Sequence, residues 1–117
     1  MSGARSYHAG LAAESIVEQH YSRSGRPVCA RRWRGTAGEI DLIARDGAEV
    51  IFIEVKQSKT HARAAEHLTP RQMARIYGAA SEFIGGEPAG QRTSVRFDVA
   101  LVDAMGRIEV LENAFAA

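Results

Sequence analysis

The sequence predicts a mixed α/β fold in which helices flank one β-sheet, with the element order α-β-β-β-α-β-β. Two observations predict it. Three strand-like segments joined by short turns lie between two helical segments, and two further strand-like segments follow the second helix. Hairpins give antiparallel pairs, whereas a strand–helix–strand crossover gives a parallel pair, so we expect a mixed sheet with a helix on each face.

The first helix is predicted from about Ser6 to Ser22. Its apolar stripe is modest and recurs at helical spacing. The stripe consists of Leu11, Ala12, Ser15, Ile16, Gln19 and His20, with Ala13 and Val17 beside it. Gly25 follows the helix, as expected of a residue that suits the position after a helix end.

The first strand is predicted over residues 27–34, with the sequence PVCARRWR. Alternation places Val28, Ala30 and Arg32 on one face of this strand. Cys29 is expected to be a small buried hydrophobic residue. Because it is the one cysteine of the chain, an intramolecular disulfide is excluded.

The second and third strands are predicted over residues 39–44 and 49–57, joined by a tight turn at Asp46-Gly47. The run from residue 50 to residue 55 is almost continuously apolar. Such a run is typical of a central strand that is buried on both faces.

The second half of the chain begins with residues 58–67, which are polar, have no clear period and are predicted to form a loop. The next helix is the clearest in the sequence, with Thr69 as its N-cap and Pro70 at its first position. Strands are predicted over residues 94–103 and 107–115, the last of them at an edge of the sheet.

Size and composition favour one domain of ordinary size, residues 1–117. Hydrophobic residues make up 45% of the chain, enough for one core. No apolar run approaches the roughly 20 residues that span a bilayer, and the first residues lack the apolar core of a secretory signal. We therefore expect a cytoplasmic protein that does not bind membranes.

The net charge is +1, but charge is unevenly distributed along the chain. Residues 1–34, 35–55, 56–75 and 76–117 carry net charges of +4, −4, +4 and −3. An acidic centre between basic segments suits a metal pocket within a polyanion-binding surface. Ordinary charged helices and loops would give the same distribution, and the distribution alone favours that interpretation.

Four charged residues lie within the predicted second and third strands: Glu39, Asp41, Glu54 and Lys56. Depending on the register, Asp41 pairs with about Phe52 or with Glu54 itself, so the two acids are diagonal or direct neighbours. Residues two apart on a strand share a face, which groups Glu39 with Asp41 and Lys56 with Glu54. If those faces coincide, three carboxylates and one ammonium group converge.

Such a group has two interpretations. Carboxylates are hard oxygen ligands that suit Mg²⁺ or Mn²⁺, and an adjacent lysine fits the hydrolysis of a phosphodiester. Alternatively, a buried Glu–Lys or Asp–Arg ion pair explains two of the charges, and acids at strand ends are often simply solvated. Glu39 stays open as a further ligand, a group that holds water or the solvated end of a strand.

The segment WRGTAGEIDLIARDGAEVIFIEVK closely resembles the central motif of the YraN-like family, predicted endonucleases of the restriction-endonuclease-like, PD-(D/E)xK fold. The flanking segments AAESIVEQHYSRSGRPVCARRWR, LTPRQMARIYGAASEFI and VRFDVALVD resemble the same family, so the resemblance covers nearly the whole chain. The family itself is similar to archaeal Holliday-junction resolvases. The resemblance therefore implies a nuclease that acts on DNA, with branched or structured DNA as the expected substrate.

The resemblance also implies a role for individual residues. Asp41 would be the main metal ligand, Glu54 the second ligand, and the carbonyl of Val55 a third oxygen for Mg²⁺ or Mn²⁺. Lys56 would be the catalytic lysine. Glu14 matches an acidic residue of the first helix that approaches the metal site in related junction-resolving nucleases. Four positions depart from the family pattern, since Arg32 replaces Asn, Ser58 replaces Arg, Gln72 replaces Lys and Ala13 replaces Gly.

Cations near these residues are candidates for nucleic-acid contacts, because arginine and lysine bind phosphates. The candidates are Arg32, Arg34, Lys59, Arg63 and Arg71, and Arg75 would extend their surface by one helical turn. Trp33 is expected to pack on the core. Asp98, beside Arg96 in a strand, is expected to have a structural role.

Two other functions fit the sequence. One is a nucleic-acid-binding accessory protein with little or no catalysis. The other is a structural or interaction domain whose acids are paired internally. A homodimer is also compatible with the chain, since two-fold substrates favour two-fold enzymes.

Overall fold

The computed structural model describes the backbone of residues 3–115 and the side chains of residues 12–115. Its elements are α1 (Gly3–Arg23), β1 (Val28–Arg34), β2 (Glu39–Asp46), β3 (Glu49–Gln57), α2 (His61–Glu66), α3 (Pro70–Ile84), a 3₁₀ turn (Gly90–Arg92), β4 (Val95–Val102) and β5 (Ile108–Leu111). None of the helices within this part of the chain is long and apolar enough to cross a membrane.

The five strands form one open mixed sheet in the order β1-β2-β3-β4-β5. Neighbouring strands are antiparallel except β3 and β4, which are parallel and are joined by the crossover that contains α2 and α3. The predicted fold class and element order are confirmed. β5 is an edge strand, as expected, although it is shorter than the predicted segment 107–115.

A helix covers each face of the sheet. Along β3, odd-numbered residues such as Ile51 and Ile53 pack under α1, and even-numbered residues such as Val50 and Phe52 pack under α3. Both faces of this strand are therefore buried, as its apolar run predicts. Continued along the strand, the same alternation places Glu54 and Lys56 on the α3 face.

The buried face of α1 differs from the predicted stripe. Ala13, Val17 and Tyr21, four residues apart, are fully buried against the sheet. Of the predicted stripe, Ala12, Ser15 and Gln19 are exposed, and the side chain of Leu11 lies outside the described residues. Ile16 of the predicted stripe packs against this core, so the buried face is shifted toward the residues beside the stripe. A helix with few apolar residues offers two stripes of similar strength, and contact with the sheet decides between them.

Residues 58–67 contain a helix, α2, and not only the predicted loop. The Thr60 side chain caps it by accepting a hydrogen bond from the backbone N–H of Arg63. Ala64 is the one buried residue of this helix and packs on Val99 and Leu101 of β4. A helix of six residues with one buried position leaves no periodic pattern in the sequence.

β1 contains a bulge that overturns two predictions. The pairing with β2 shifts between Val28 and Ala30, so Val28 packs on the α1 face and Ala30 on the α3 face. Cys29 lies at the bulge and is exposed rather than buried. Arg32 follows with φ of +47°, a further departure from regular strand geometry.

Asp98 is fully buried in β4 and has the hydrogen bonds of a structural residue. Its carboxylate accepts two bonds from Arg96, at 2.9 and 3.0 Å, and one of 2.6 Å from the hydroxyl of Tyr21. The backbone N–H of Asn113 donates a fourth, at 2.9 Å. Asp98 thus ties α1 and the segment after β5 to the sheet.

α3 begins and is held as the sequence predicts. The Thr69 side chain accepts a hydrogen bond of 3.1 Å from the N–H of Gln72, and Pro70 opens the helix. Near its other end, Glu82 accepts hydrogen bonds from the backbone N–H groups of Thr36 and Ala37 in the turn between β1 and β2. These contacts fix α3 over the start of β2.

Candidate functional site

The hairpin of β2 and β3 sets the relation between the two central acids. Its turn includes Gly47, whose φ of +60° is one that glycine adopts readily. Described backbone pairing extends from the turn as far as Leu42 opposite Ile53. Continued by one residue, this register places Asp41 opposite Glu54, which is the second of the two predicted registers.

Beyond that point the two strands continue to Glu39 and Gln57, but the described ladder between them has ended. The Asp41 side chain enters this gap and accepts a hydrogen bond of 2.8 Å from the backbone N–H of Val55. In a β-strand the N–H and C=O of one residue point to the same edge. The Val55 carbonyl therefore faces the edge at which Asp41 lies.

Asp41, Glu54 and Lys56 lie together in the fold. The charges of Asp41 and Glu54 affect each other, and the charge of Lys56 affects both. Nζ of Lys56 lies 3.1 Å from Oε1 of Glu54, and both side chains are largely buried, with 15% and 6% of their surface exposed. From α3, Nε2 of Gln72 donates a hydrogen bond of 2.8 Å to the same Glu54 oxygen.

The electrostatics of this group favour a bound proton at neutral pH. Burial and then the negative charge of Asp41 raise the pKa of Glu54 to about 8, although Lys56 opposes the shift. Burial also raises the pKa of Asp41, against the lowering effect of the Val55 N–H. Two buried carboxyl groups whose ionised forms are disfavoured in this way offer a site where a cation can replace a proton.

Glu39 does not join this pair. Its carboxylate lies 3.0 Å from the guanidinium of Arg34 instead. Within residues 12–115, no three His, Cys, Asp or Glu side chains group closely enough to hold a metal ion. Glu39 lines the same cleft as Asp41 and Glu54 but pairs with Arg34, so its role as a further ligand stays a prediction.

The remaining donors still fit the predicted ion. Mg²⁺ is commonly bound through one or two carboxylates while it keeps several waters and takes further oxygens from substrate phosphates. Asp41 and Glu54 supply two carboxylates, and Val55 supplies a carbonyl at the same edge. This all-oxygen donor set suits Mg²⁺ or Mn²⁺.

Glu14 approaches the site from α1. Both of its carboxylate oxygens accept hydrogen bonds from Arg32, at 3.2 and 3.0 Å. Burial raises its pKa, and the negative charges of Asp41 and Glu39 raise it further. Glu14 thus lies within electrostatic reach of Asp41, on the side of the site formed by α1 and β1.

A cleft of about 260 Å³ opens over the two acids. It is lined by Gly38, Glu39, Asp41, Glu54, Gln72, Arg75 and Ile76. Gln72 did not appear among the predicted site residues. Two signals were available: the family pattern has Lys at this position, and Gln72 lies in the capped first turn of the helix that follows β3, where a polar side chain can reach back to the sheet.

The predicted nucleic-acid contacts fall into two groups. Arg32 and Arg34 are held by Glu14 and Glu39. Lys59, Arg63 and Arg71 are exposed on α2, α3 and the segment before α2. The part of all five cations in nucleic-acid binding stays a prediction. Trp33 packs on the α3-side core, with its ring edge-on to Phe83 at 5.4 Å between centroids.

Comparison with known proteins agrees with the motif. The model of the family described as "Uncharacterised protein family UPF0102" matches residues 13–102. A UPF0102 protein of Cereibacter sphaeroides is 72% identical over 117 residues, which cover the full length of both chains. One from Ruegeria pomeroyi is 59% identical over 113 residues, which cover 97% of this chain and 92% of its own.

A more distant relative extends the match. A UPF0102 protein of Dinoroseobacter shibae is 44% identical over 111 residues, which cover 95% of this chain and 83% of its own. All of these matches span Asp41, Glu54 and Lys56. The chain therefore belongs to the UPF0102 family, the YraN-like family that its motifs resemble.

Proposed function

We propose that this protein is a metal-dependent endonuclease that hydrolyses phosphodiester bonds in DNA. One observation carries the proposal: Asp41 and Glu54 line the same cleft, with Nζ of Lys56 3.1 Å from Glu54. If both carboxyl groups ionise, two negative charges face the single ammonium group of Lys56 and a net negative charge is buried. This disfavours ionisation of both groups. Groups perturbed in this way are concentrated at functional sites.

Asp41, Glu54 and the carbonyl of Val55 would hold Mg²⁺ or Mn²⁺. When bound, such an ion makes a water molecule more acidic and stabilises negative charge on a phosphate. Each ligand is oriented in advance, because the Val55 N–H holds Asp41 and Gln72 holds Glu54. Fixed ligands of this kind lose little conformational freedom when the site is filled.

Lys56 would act on the substrate itself. Its ammonium lies on the α3 face of the sheet, at the cleft, and carries three donors that can rotate toward a new partner. When Glu54 binds a cation, the Lys56 ammonium can turn to a phosphate oxygen. There it would stabilise the charge that develops during hydrolysis and orient the attacking water.

The substrate class rests on chemistry and on family similarity. Arg75 of α3 lines the cleft, and Arg71 is exposed one helical turn earlier, as a phosphate-rich polymer requires. The similarity of the family to junction resolvases favours branched or structured DNA, and this step is an analogy between folds.

The test is cleavage by the purified protein of linear, flapped and four-way-junction DNA and of RNA, each with Mg²⁺, Mn²⁺ or EDTA. Asp41→Asn keeps the shape of the side chain but removes its charge, and Lys56→Met removes the ammonium group. Asp46→Asn, on the same strand but exposed at the hairpin turn, is the matched control. We expect metal-dependent cleavage that the first two variants lose and the control retains.

Each outcome has a meaning. Cleavage that survives in Asp41→Asn would assign the activity to another site or to a contaminant and would refute the proposal. Binding without cleavage under every metal condition would favour the accessory nucleic-acid-binding protein. Circular dichroism spectra and thermal midpoints of the variants show whether a loss of cleavage reflects a loss of fold.

A further inference from the structure

Two charged surfaces near the cleft differ in how their arginines are paired. We call the three Arg–Glu pairs on α1, β1 and the first residue of β2 the β1 wall. In it, each of three arginines faces a glutamate, and two of the three glutamates receive both donors of a guanidinium fork. The pairs are Arg31 with Glu18, Arg32 with Glu14 and Arg34 with Glu39. These three pairs sum to zero charge.

The second surface, formed by residues 58–75 of α2, α3 and the segments around them, is called the α3 wall. It carries four exposed cations: Lys59, Arg63, Arg71 and Arg75. In the part of the chain that the structure describes, none of the four has a carboxylate partner. Glu66 is the one acid of this wall, so four cations and one acid give it a net charge of +3.

The α3 wall stands over the same face of the sheet as the candidate catalytic groups. Ala64 of α2 packs on Val99 and Leu101 of β4. Those two residues are the register partners of Glu54 and Lys56 on β3. α2 therefore covers the part of β4 that pairs with Glu54 and Lys56, while α3 borders the cleft directly.

Arg75 is the cation of this wall that lines the cleft itself. A Cβ atom on Gly38 would lie 3.1 Å from Cβ of Arg75, so the start of the arginine side chain is packed against the backbone of β2. Its guanidinium is exposed at the mouth of the cleft. Arg71 lies one helical turn earlier, on the same face of α3.

We propose that nucleic acid approaches the cleft from one side, with its backbone phosphates bound by the α3 wall, above all by Arg71 and Arg75. The neutral β1 wall contributes little, because its arginines are already held by glutamates. Contacts made by these cations with phosphates give binding that is independent of base sequence and sensitive to salt. This proposal rests on the proposed function, since it takes the carboxylate cleft as the place of the phosphodiester.

The test is the salt dependence of binding to a fluorescently labelled DNA duplex, measured by anisotropy in EDTA between about 50 and 200 mM salt. Each phosphate contact contributes about 0.9 to the slope of log K against log salt concentration. We expect Arg71→Gln and Arg75→Gln each to reduce the slope by about 0.9. Arg31→Gln is the matched control, since it removes the same charge from the β1 wall, and it should leave the slope unchanged.

Several results would overturn the proposal. They are a wild-type protein that does not bind the duplex, a slope that the α3-wall variants leave unchanged, and an equal reduction by Arg31→Gln. Equal binding of an acidic polypeptide would also overturn it, because the wall would then recognise negative charge in general. Two duplexes of unrelated sequence should bind equally.

The assay separates this proposal from the nuclease proposal. Binding is measured in EDTA, so it does not depend on catalysis. If the α3 wall binds the duplex but the protein does not cleave it in Mg²⁺ or Mn²⁺, the binding proposal stands and the nuclease proposal is refuted. If the protein cleaves in a metal-dependent way but the α3-wall variants keep the wild-type salt slope, the nuclease proposal stands and the binding proposal is refuted.

Discussion

Gln72 and Glu54 are joined across the space between α3 and β3 by a hydrogen bond of 2.8 Å, from Nε2 to Oε1. The glutamate oxygen that accepts it is also the one nearest Lys56. Two donors on one oxygen restrict the orientation of the carboxylate. Because Thr69 caps the helix at the N–H of Gln72, the first turn of α3 is held in the position this contact requires.

The first prediction concerns this orienting contact. Gln72→Ala should leave the fold intact and reduce metal affinity or cleavage by roughly ten- to a hundredfold, the usual cost of removing a residue that orients a metal ligand. Gln72→Lys should restore much of the loss, because an ammonium group can donate to the same Glu54 oxygen. Titration with Mn²⁺ and a cleavage assay measure the two effects.

Gln91→Ala is the control for Gln72. Gln91 also donates to an oxygen, the backbone carbonyl of Ser81, but it lies near the far end of α3. The Gln91→Ala variant should change neither metal affinity nor cleavage. Full metal affinity and full cleavage in Gln72→Ala would contradict an orienting role.

The second prediction follows from the pKa of Glu54, which is raised to about 8. Between the ordinary pKa of a glutamate and pH 8, the folded protein holds a proton that the unfolded chain has released. The stability contributed by this group is therefore present at low pH and lost as pH rises through that window. A raised pKa of Asp41 acts in the same direction.

Glu54→Gln removes that dependence, since an amide stays neutral over this pH range. In EDTA, its stability relative to wild type should rise from pH 5 to pH 8, by up to about 1 kcal/mol for each pH unit. Glu87→Gln is the control, because a hydrogen bond from Arg45 lowers the pKa of Glu87 and keeps it ionised over the whole range. Thermal midpoints at several pH values measure both. A constant difference for Glu54→Gln would refute the shift.

Much of the site was predictable because short-range rules set it. The tight turn at Gly47 and the two-residue period of the strands decide which residues face each other, and together they bring Asp41 to Glu54. Asp98 was also recognisable as structural, since a cation stood two residues away on the same strand.

The remainder depends on contacts between distant segments. Gln72 reaches Glu54 only because Glu82 and the turn between β1 and β2 hold α3 over the sheet. The bulge at Cys29 exposes a residue that its type suggests is buried, and no turn residue marks it. Local periodicity carries no information on either feature.

The third prediction separates structural from functional groups. The Tyr21 hydroxyl donates a hydrogen bond of 2.6 Å to the buried carboxylate of Asp98. Burial and this neighbour hold the pKa of Tyr21 well above its usual range, so the phenol keeps its proton. Tyr21→Phe should cost about 2 kcal/mol of stability, the usual value for a hydrogen bond to a charged group. Chemical denaturation measures the loss.

Cleavage per folded molecule should be unchanged in Tyr21→Phe, since neither residue borders the cleft. Asp41→Asn is the contrasting variant and should lose cleavage while it keeps its stability. An effect of Tyr21→Phe on cleavage that exceeds the loss of folded protein would place Asp98 in the functional network.

The fourth prediction concerns two glycines in helices. Gly10 of α1 has open space where a Cβ would lie, so Gly10→Ala should stabilise the protein by about 1 kcal/mol through helix propensity. A Cβ on Gly78 of α3 would lie 2.6 Å from Cβ of Ala37, a separation that forces the helix away from the β1–β2 turn. Gly78→Ala should therefore destabilise by about 1 kcal/mol, because overpacking outweighs the same gain in propensity.

Removal of the opposing methyl group tests this cause directly. In the Gly78→Ala background, Ala37→Gly opens the space that the new Cβ needs, so it should recover most of the lost stability. In the wild-type background the same change should not stabilise the protein. The thermal midpoints of the four proteins form a double-mutant cycle whose interaction energy measures the clash. Additive effects would show that the approach of α3 to the turn is looser than the 2.6 Å separation implies.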